Sequence, residues 1–168
     1  TDFLYYGRLT KYKGIDLLIK SFKEINNNYP NTRLKIIGYG DMEKELKNLV
    51  KIYKLEKNVE FQPFQSVNRI IEEIDKSNLV IIPSVDTGFE FEAGPLTIVE
   101  SMARKRLCLV SSSVGFISYL DVSTALIFNS GHQQSLTKGI ETFLNLDNES
   151  HLNMLSKAYK LSEEFKFK

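Results

Sequence analysis

Two stretches of this sequence gather charge and glycine in the way a bound anion requires. The first is Gly7-Arg8-Leu9-Thr10-Lys11-Tyr12-Lys13-Gly14. Arg8 offers a planar fork of donors that matches phosphate oxygens bidentately, and Lys13 adds a point charge just before a helix start. Gly7 lets backbone approach a ligand closely, and cations with glycines at a helix N-terminus suit an anion. The same residues would also serve as a solvated loop whose lysines keep the chain soluble. The second stretch runs from Pro83 to Glu100 and places Asp86, Glu90 and Glu92 with Gly88 and Gly94 in one long loop. Long loops without structure of their own are usually functional. A helix following Gly94 would turn the N–H groups of Leu96 and Thr97, and its dipole, toward a phosphate. Glu100 lies one turn further, where its carboxylate can return to the sheet edge and accept from the vicinal hydroxyls of a ribose. Glu92, ahead of the helix, is placed to contact or stabilise a reacting sugar. The plainer alternatives are a solvated Glu100 and an ordinary first-turn acid at Glu92.

Other motifs carry less. Gly38-Tyr39-Gly40 would need a third glycine at position 43 to be a dinucleotide fingerprint, and that position is Glu43. A tight turn accounts for it. There is no GxxxxGK[ST] sequence. His132 and His151 have no nearby Ser, Cys or acid in a triad-like pattern and read as surface residues. Cys108 sits in the apolar run Leu107-Cys108-Leu109-Val110 and reads as a small core residue. No Cys/His set has metal-ligand spacing.

The elements that must position these residues follow from periodicity. Phe3–Tyr6, Arg33–Ile37, Val59–Phe61, Leu79–Ile82, Leu107–Val110 and Leu126–Phe128 read as strands. Ile15, Leu18, Ile19, Phe22 and Ile25 share a helix face, and that helix is expected to end before Asn26-Asn27-Asn28 and Pro30. Asp41 is placed to cap a helix whose face is Met42, Leu46, Leu49, Val50 and Tyr53. Val67, Ile70, Ile71 and Ile74 mark another helix, and one more begins at Pro95, which suits a first turn. Two further helices are expected near Ser135–Leu146 and Ser150–Glu164. Continuously apolar strands separated by amphipathic helices imply a Rossmann-like, doubly wound α/β domain with a mostly parallel sheet covered on both faces. Ligands of such sheets bind beyond the carboxyl ends of the strands.

The length of 168 residues fits one domain, and 42% apolar with 26% charged residues is ordinary globular composition. A net charge of +1, spread along the chain, argues against a dedicated nucleic-acid stripe and gives no sign of a polybasic membrane anchor. No apolar run reaches the roughly 20 residues of a membrane span, nothing resembles a signal peptide, and a cytoplasmic setting is the default. The chain opens on a strand-like run without a starting Met and stops within Glu163-Glu164-Phe165-Lys166-Phe167-Lys168, which predicts an excised piece of a longer protein.

Taken in order, these motifs resemble the carboxy-terminal domain of the GT4-type family of retaining glycosyltransferases, which have the two-domain GT-B fold. Gly7-Arg8-Leu9 with Lys13-Gly14 is similar to that family's opening GR…KG signature. Leu34 to Gly40 is similar to its second strand and GxG turn, and Val59-Glu60-Phe61 with Gln62-Pro63-Phe64 to its third strand and loop. Pro83-Ser84, then Glu92 to Glu100 and Ser101-Met102-Ala103, match its E-x7-E element. Pro95 stands where a second glycine is common, and Gly115-Phe116 replaces a more usual glycine pair.

The resemblance implies that residues 1–168 form a single nucleotide-sugar donor-binding domain and that an amino-terminal acceptor domain lies outside this chain. It implies that Arg8 and Lys13, after Gly7, hold the donor diphosphate, and that Glu92 contacts the transferred sugar near the reacting centre. Gly94, Leu96 and Thr97 would hold sugar hydroxyls or phosphate, Glu100 the ribose, and Pro63 and Phe64 the base, with Gly38 in the donor-side turn. It further implies a UDP- or GDP-type sugar donor, no metal or cofactor, an acceptor glycan or lipid-linked sugar, no nucleic-acid partner, and peripheral membrane association of the full-length enzyme. Retaining hexosyl transfer in surface polysaccharide or glycolipid synthesis is the expected function, with the chain alone binding donor weakly and transferring nothing. Three alternatives are weighed against this reading. A sugar-nucleotide epimerase of the same architecture is disfavoured by the E-x7-E element, a dinucleotide-dependent oxidoreductase by the missing third glycine, and a flavodoxin-like binding module by Gly7-Arg8 where a cluster of acids would be wanted.

Overall fold

Strands apolar on both faces need a cover on each side, and helices between successive parallel strands supply it. The structure, a computed structural model, describes residues 1–90, 92 and 96–165. Strands β1 (Asp2–Tyr6), β2 (Arg33–Ile37), β3 (Val59–Gln62), β4 (Leu79–Ile82), β5 (Leu107–Ser111) and β6 (Leu126–Phe128) form one sheet in the order β3-β2-β1-β4-β5-β6. Every pairing in it is parallel. The helices are α1 (Ile15–Asn28), α2 (Glu43–Ile52), α3 (Val67–Lys76), α4 (Leu96–Ala103), α5 (Gln133–Leu144) and α6 (Asn148–Glu164). This is the doubly wound, Rossmann-like α/β fold that the periodicity predicts.

Alternation along each strand divides the core into two layers. Phe3, Tyr5, Leu34, Ile36, Leu79, Ile81, Leu107 and Leu109 face α1, α2 and α5, where Phe22, Leu46 and Ile140 meet them. Leu4, Ile37, Val80, Ile82, Cys108 and Val110 face α3, α4 and α6 through Ile74, Ile98, Met102 and Ala158. Burial pushes the Cys108 thiol up to about 12, which makes it the inert core residue its apolar neighbours predict.

The structure corrects several expected boundaries. Helix α1 runs through Asn26–Asn28 and ends at Tyr29, whose φ of −130° and ψ of 71° leave the helical region. Pro30 is the stop, because its ring disfavours helical backbone in the residue before it. Asp41 does not cap α2. Met42 holds that position without a side-chain bond, and its N–H donates to the Leu9 carbonyl at 3.0 Å, which fixes the helix entry to the loop after β1. Helix α5 begins at Gln133, and Asp147 caps α6 by accepting from the Ser150 N–H at 2.8 Å. Single 3-10 turns at Lys11–Lys13 and Gly115–Tyr119 have no periodic signal and were not expected. The predicted helix start at Pro95 lies outside the described residues; α4 is described from Leu96.

Candidate functional site

The order of strands reverses between β1 and β4, and here the sheet opens. These two strands are paired only at Phe3↔Leu79 and Leu4↔Val80. Beyond that, β1 stays with β2 as far as Tyr6↔Ile37, and β4 stays with β5 as far as Ile82↔Val110. Their carboxyl ends therefore part, and the loops that follow them face each other across a crevice.

Glycine draws the three loops together. A Cβ on Gly38, whose φ is +155°, would overlap the Gly7 carbonyl oxygen. The loop after β2 thus lies backbone on backbone with the loop after β1, with the Leu9 N–H donating to the Tyr39 carbonyl at 2.8 Å. Gly38 is buried in this packing, which gives the Gly38-Tyr39-Gly40 turn a structural reason. On the other side, a Cβ on Gly14 would overlap the Pro83 carbonyl oxygen, and the Val85 N–H donates to the Tyr12 carbonyl at 2.7 Å. These contacts carry the N-terminus of α1 to the mouth of the crevice.

Three of the predicted residues meet there. The Lys13 ammonium forms an ion pair with the Glu92 carboxylate, both side chains largely buried. The Arg8 guanidinium donates to the Tyr12 hydroxyl at 2.6 Å. Arg8 and Lys13 lie 5.8 and 5.1 Å from the centroid of the Tyr12 ring. Burial, then the positive charge of Arg8, push the Lys13 ammonium down from its ordinary 10.5 to about 8. The Glu92 carboxylate in contact acts the other way and favours the charged amine. The Glu92 carbonyl accepts from the Gly115 N–H at 2.7 Å, tying this acid to the 3-10 turn after β5. Among the described residues, two buried hydroxyls have no hydrogen-bond partner, Thr10 Oγ1 and Ser84 Oγ. Both belong to loops that flank the crevice.

The remaining predicted residues stand around this centre. Glu100, exposed on α4, accepts from the Tyr6 hydroxyl at 2.7 Å. Burial and that carboxylate both push the Tyr6 hydroxyl well above the usual phenol range. Leu96 and Thr97 open α4 on the same side, and the Thr97 carbonyl accepts from Ser101 at 2.7 Å. Pro63 and Phe64 follow β3, and the Phe64 ring meets Tyr39 edge to face at 6.1 Å, both rings exposed. Phe64 is thus grouped with Tyr39 rather than with the cations. Gly94 lies outside the described residues.

Sequence reasoning missed Tyr6 and Tyr12. Tyr6 was accessible, since strand alternation puts it on the face of Leu4, which packs toward α4. Tyr12 had no such signal, because only the 3-10 turn brings its ring beneath both cations. His151 rests on the Phe143 ring and His132 precedes α5, so neither joins the crevice. A depression of about 380 Å³ lies at the opposite, amino ends of β1–β3, where Arg33–Asp2 and Lys35–Glu73 pair off its charges. No group of three or more metal-ligating side chains gathers among the described residues.

A sequence profile of the family described as glycosyl transferases group 1 matches residues 1–161. An uncharacterized glycosyltransferase of Haemophilus influenzae is 29% identical over 164 residues, covering 96% of this chain and 44% of the relative. The chain thus spans less than half the length of this curated relative. Among solved structures, the C-terminal domain of a glycosyl transferase group 1 family protein from Francisella tularensis superposes with a TM-score of 0.85 at 19% identity. That match covers 99% of this chain and 86% of the other. Anabaena HepE in complex with UDP-glucose superposes with a TM-score of 0.85 at 21% identity, over 97% of this chain and 44% of that one.

Proposed function

The chain belongs to the glycosyl transferases group 1 family, and on that premise we propose that it binds a nucleoside-diphosphate sugar in the β1/β4 crevice. The observation that carries this is the convergence of Arg8, Lys13 and Glu92 at the strand-order reversal, with Glu100 on the adjoining helix. Two cations beside the N-terminus of α1 suit a diphosphate. The exposed carboxylate of Glu100 suits ribose hydroxyls, and Glu92 lies between the Lys13 ammonium and the turn after β5, where a sugar joined to that diphosphate would extend. That a similar fold in Anabaena HepE holds UDP-glucose supports a donor of this class.

Transfer breaks the bond between the anomeric carbon and the diphosphate oxygen. The acceptor hydroxyl oxygen bonds to that carbon on the same face, and its proton passes to the departing diphosphate. Negative charge develops on the leaving group, so preorganised cations aimed at it lower the barrier. An arriving diphosphate competes with Glu92 for the Lys13 ammonium and leaves the carboxylate beside the sugar carbon, where positive charge develops. The proposal extends, on the family resemblance, to retaining hexosyl transfer without a metal, to cytoplasmic surface-polysaccharide or glycolipid synthesis, and to an acceptor held by a further domain. This chain alone then binds donor and transfers nothing.

Calorimetric titration with UDP and with GDP tests the donor site and identifies the base. Arg8→Ala and Glu100→Ala are each expected to weaken binding tenfold or more, about 1.4 kcal/mol. Wild-type-like affinity in both variants, or no binding of either nucleotide to the wild type, would remove the crevice as the donor site.

A further inference from the structure

We propose that Tyr12 is a positioning residue of this site, holding the Arg8 guanidinium and the Lys13 ammonium side by side for a diphosphate. The inference rests on the donor-site reading and deepens it. Two like charges in a partly desolvated crevice repel, and nothing in the separation of Arg8 from Lys13 along the chain keeps them together. The face of an aromatic ring carries partial negative charge and attracts cations within about 6 Å of its centroid. Both cations meet that condition on the one Tyr12 ring, at 5.8 and 5.1 Å. The ring also carries a directional hold, since its hydroxyl accepts from Arg8 Nη2 at 2.6 Å. At the other end of Arg8, its backbone carbonyl accepts from the Tyr5 hydroxyl at 2.6 Å.

The platform is tied down at several points. Tyr12 is buried, with 7% of its surface exposed, at the centre of the 3-10 turn. Its carbonyl is bonded to the Val85 N–H at 2.7 Å, and Gly14 beyond it is held against Pro83. A buried tyrosine serving only as core filler would need neither the hydroxyl bond to Arg8 nor two cations over its face.

Titration of this chain with UDP and GDP, using Tyr12→Phe, Tyr12→Leu and Arg8→Ala with the combined Tyr12→Phe/Arg8→Ala variant, separates the two roles. Tyr12→Phe keeps the ring and removes the hydroxyl, so it is expected to weaken nucleoside-diphosphate binding about threefold to tenfold with an unchanged melting temperature. Tyr12→Leu, which removes the ring as well, is expected to weaken binding further. In the Arg8→Ala background, Tyr12→Phe should change affinity less than twofold, because the hydroxyl then has no guanidinium to hold. Wild-type affinity in Tyr12→Phe while Arg8→Ala is weakened would overturn the inference and leave the donor site standing. So would equal losses from Tyr12→Phe in both backgrounds. Absence of binding by the wild type overturns the donor site, and this inference with it.

Discussion

At the scale of single residues, the charges of the site were readable and their supports were not. Arg8 and Lys13 stand out in the sequence because each adjoins a glycine between a strand and a helix, and Glu92 and Glu100 because they lie before and within the helix after β4, whereas Tyr6 and Tyr12 look like any aromatic residues until the strand face and the 3-10 turn are known. Lys13 sets a pH dependence. With its ammonium lowered to about 8 by burial and by Arg8, and with Glu92 in contact to oppose this, nucleoside-diphosphate affinity should fall as pH rises above about 8. An ordinary lysine would hold its charge to 10.5. Lys13→Arg should bind with little change across that range, and titrations at pH 7, 8 and 9 would show the difference. The effect on stability has the opposite sign. Between about 8 and 10.5 the unfolded chain carries the Lys13 proton and the folded chain does not, so this group favours folding more as pH rises through that window. Tyr6 acts through Glu100. Tyr6→Phe should cost about 0.5–1.5 kcal/mol of UDP affinity, roughly twofold to twelvefold, and less with 2′-deoxy-UDP, where one ribose hydroxyl is gone. An equal loss for both nucleotides would separate Tyr6 from the ribose.

At the scale of elements, strands were legible nearly to the residue because a buried parallel strand is an unbroken apolar run, as Leu79–Ile82 is. Helix ends were less so. The three asparagines after Ile25 look like a stop, but Ile25 is wholly buried and the backbone has no reason to break until Pro30 forces it. The 3-10 turns escaped notice because three to five residues carry no period. The glycine at the entry of α1 was legible only as a residue that permits close approach, and the structure shows what approaches. Gly14→Ala would place a Cβ on the Pro83 carbonyl and force a left-handed φ of +67° on alanine. The backbone term alone costs about 1–2 kcal/mol, so thermal unfolding should fall by at least about 2–8 °C. Nucleotide affinity should fall with it, since the same contact aligns the two loops. An unshifted melting curve would mean that the β1 and β4 loops are not locked through this residue.

At the scale of the molecule, a parallel sheet covered on both faces follows from the alternation of elements, but the order of its strands does not. Nothing local in Phe3–Tyr6 states that β1 will lie between β2 and β4, and only the right-handed crossover rule and burial of both faces place it in the centre. The layer facing α1 is anchored by Phe22, wholly buried and edge to face on Phe3 at 6.2 Å. Phe22→Ala should cost about 3–5 kcal/mol and lower the melting temperature by roughly 6–20 °C, with no direct effect on nucleotide contacts. A smaller loss would show that α5 collapses into the space.

The short pairing of β1 with β4 also bears on how the chain is made. Phe3 meets Leu34 across β2 but must wait for Leu79 before its other edge is covered. While a ribosome is still extending the chain through α3, the strand that ends at the centre of the sheet is an open edge, with unpaired amides and apolar Phe3, Leu4 and Tyr5 beside them. Parallel pairing across so long an intervening segment is slow to close. The apolar residues that later fill the centre of the sheet, Phe3, Leu4 and Tyr5, therefore stay open to wrong partners until β4 arrives to cover them.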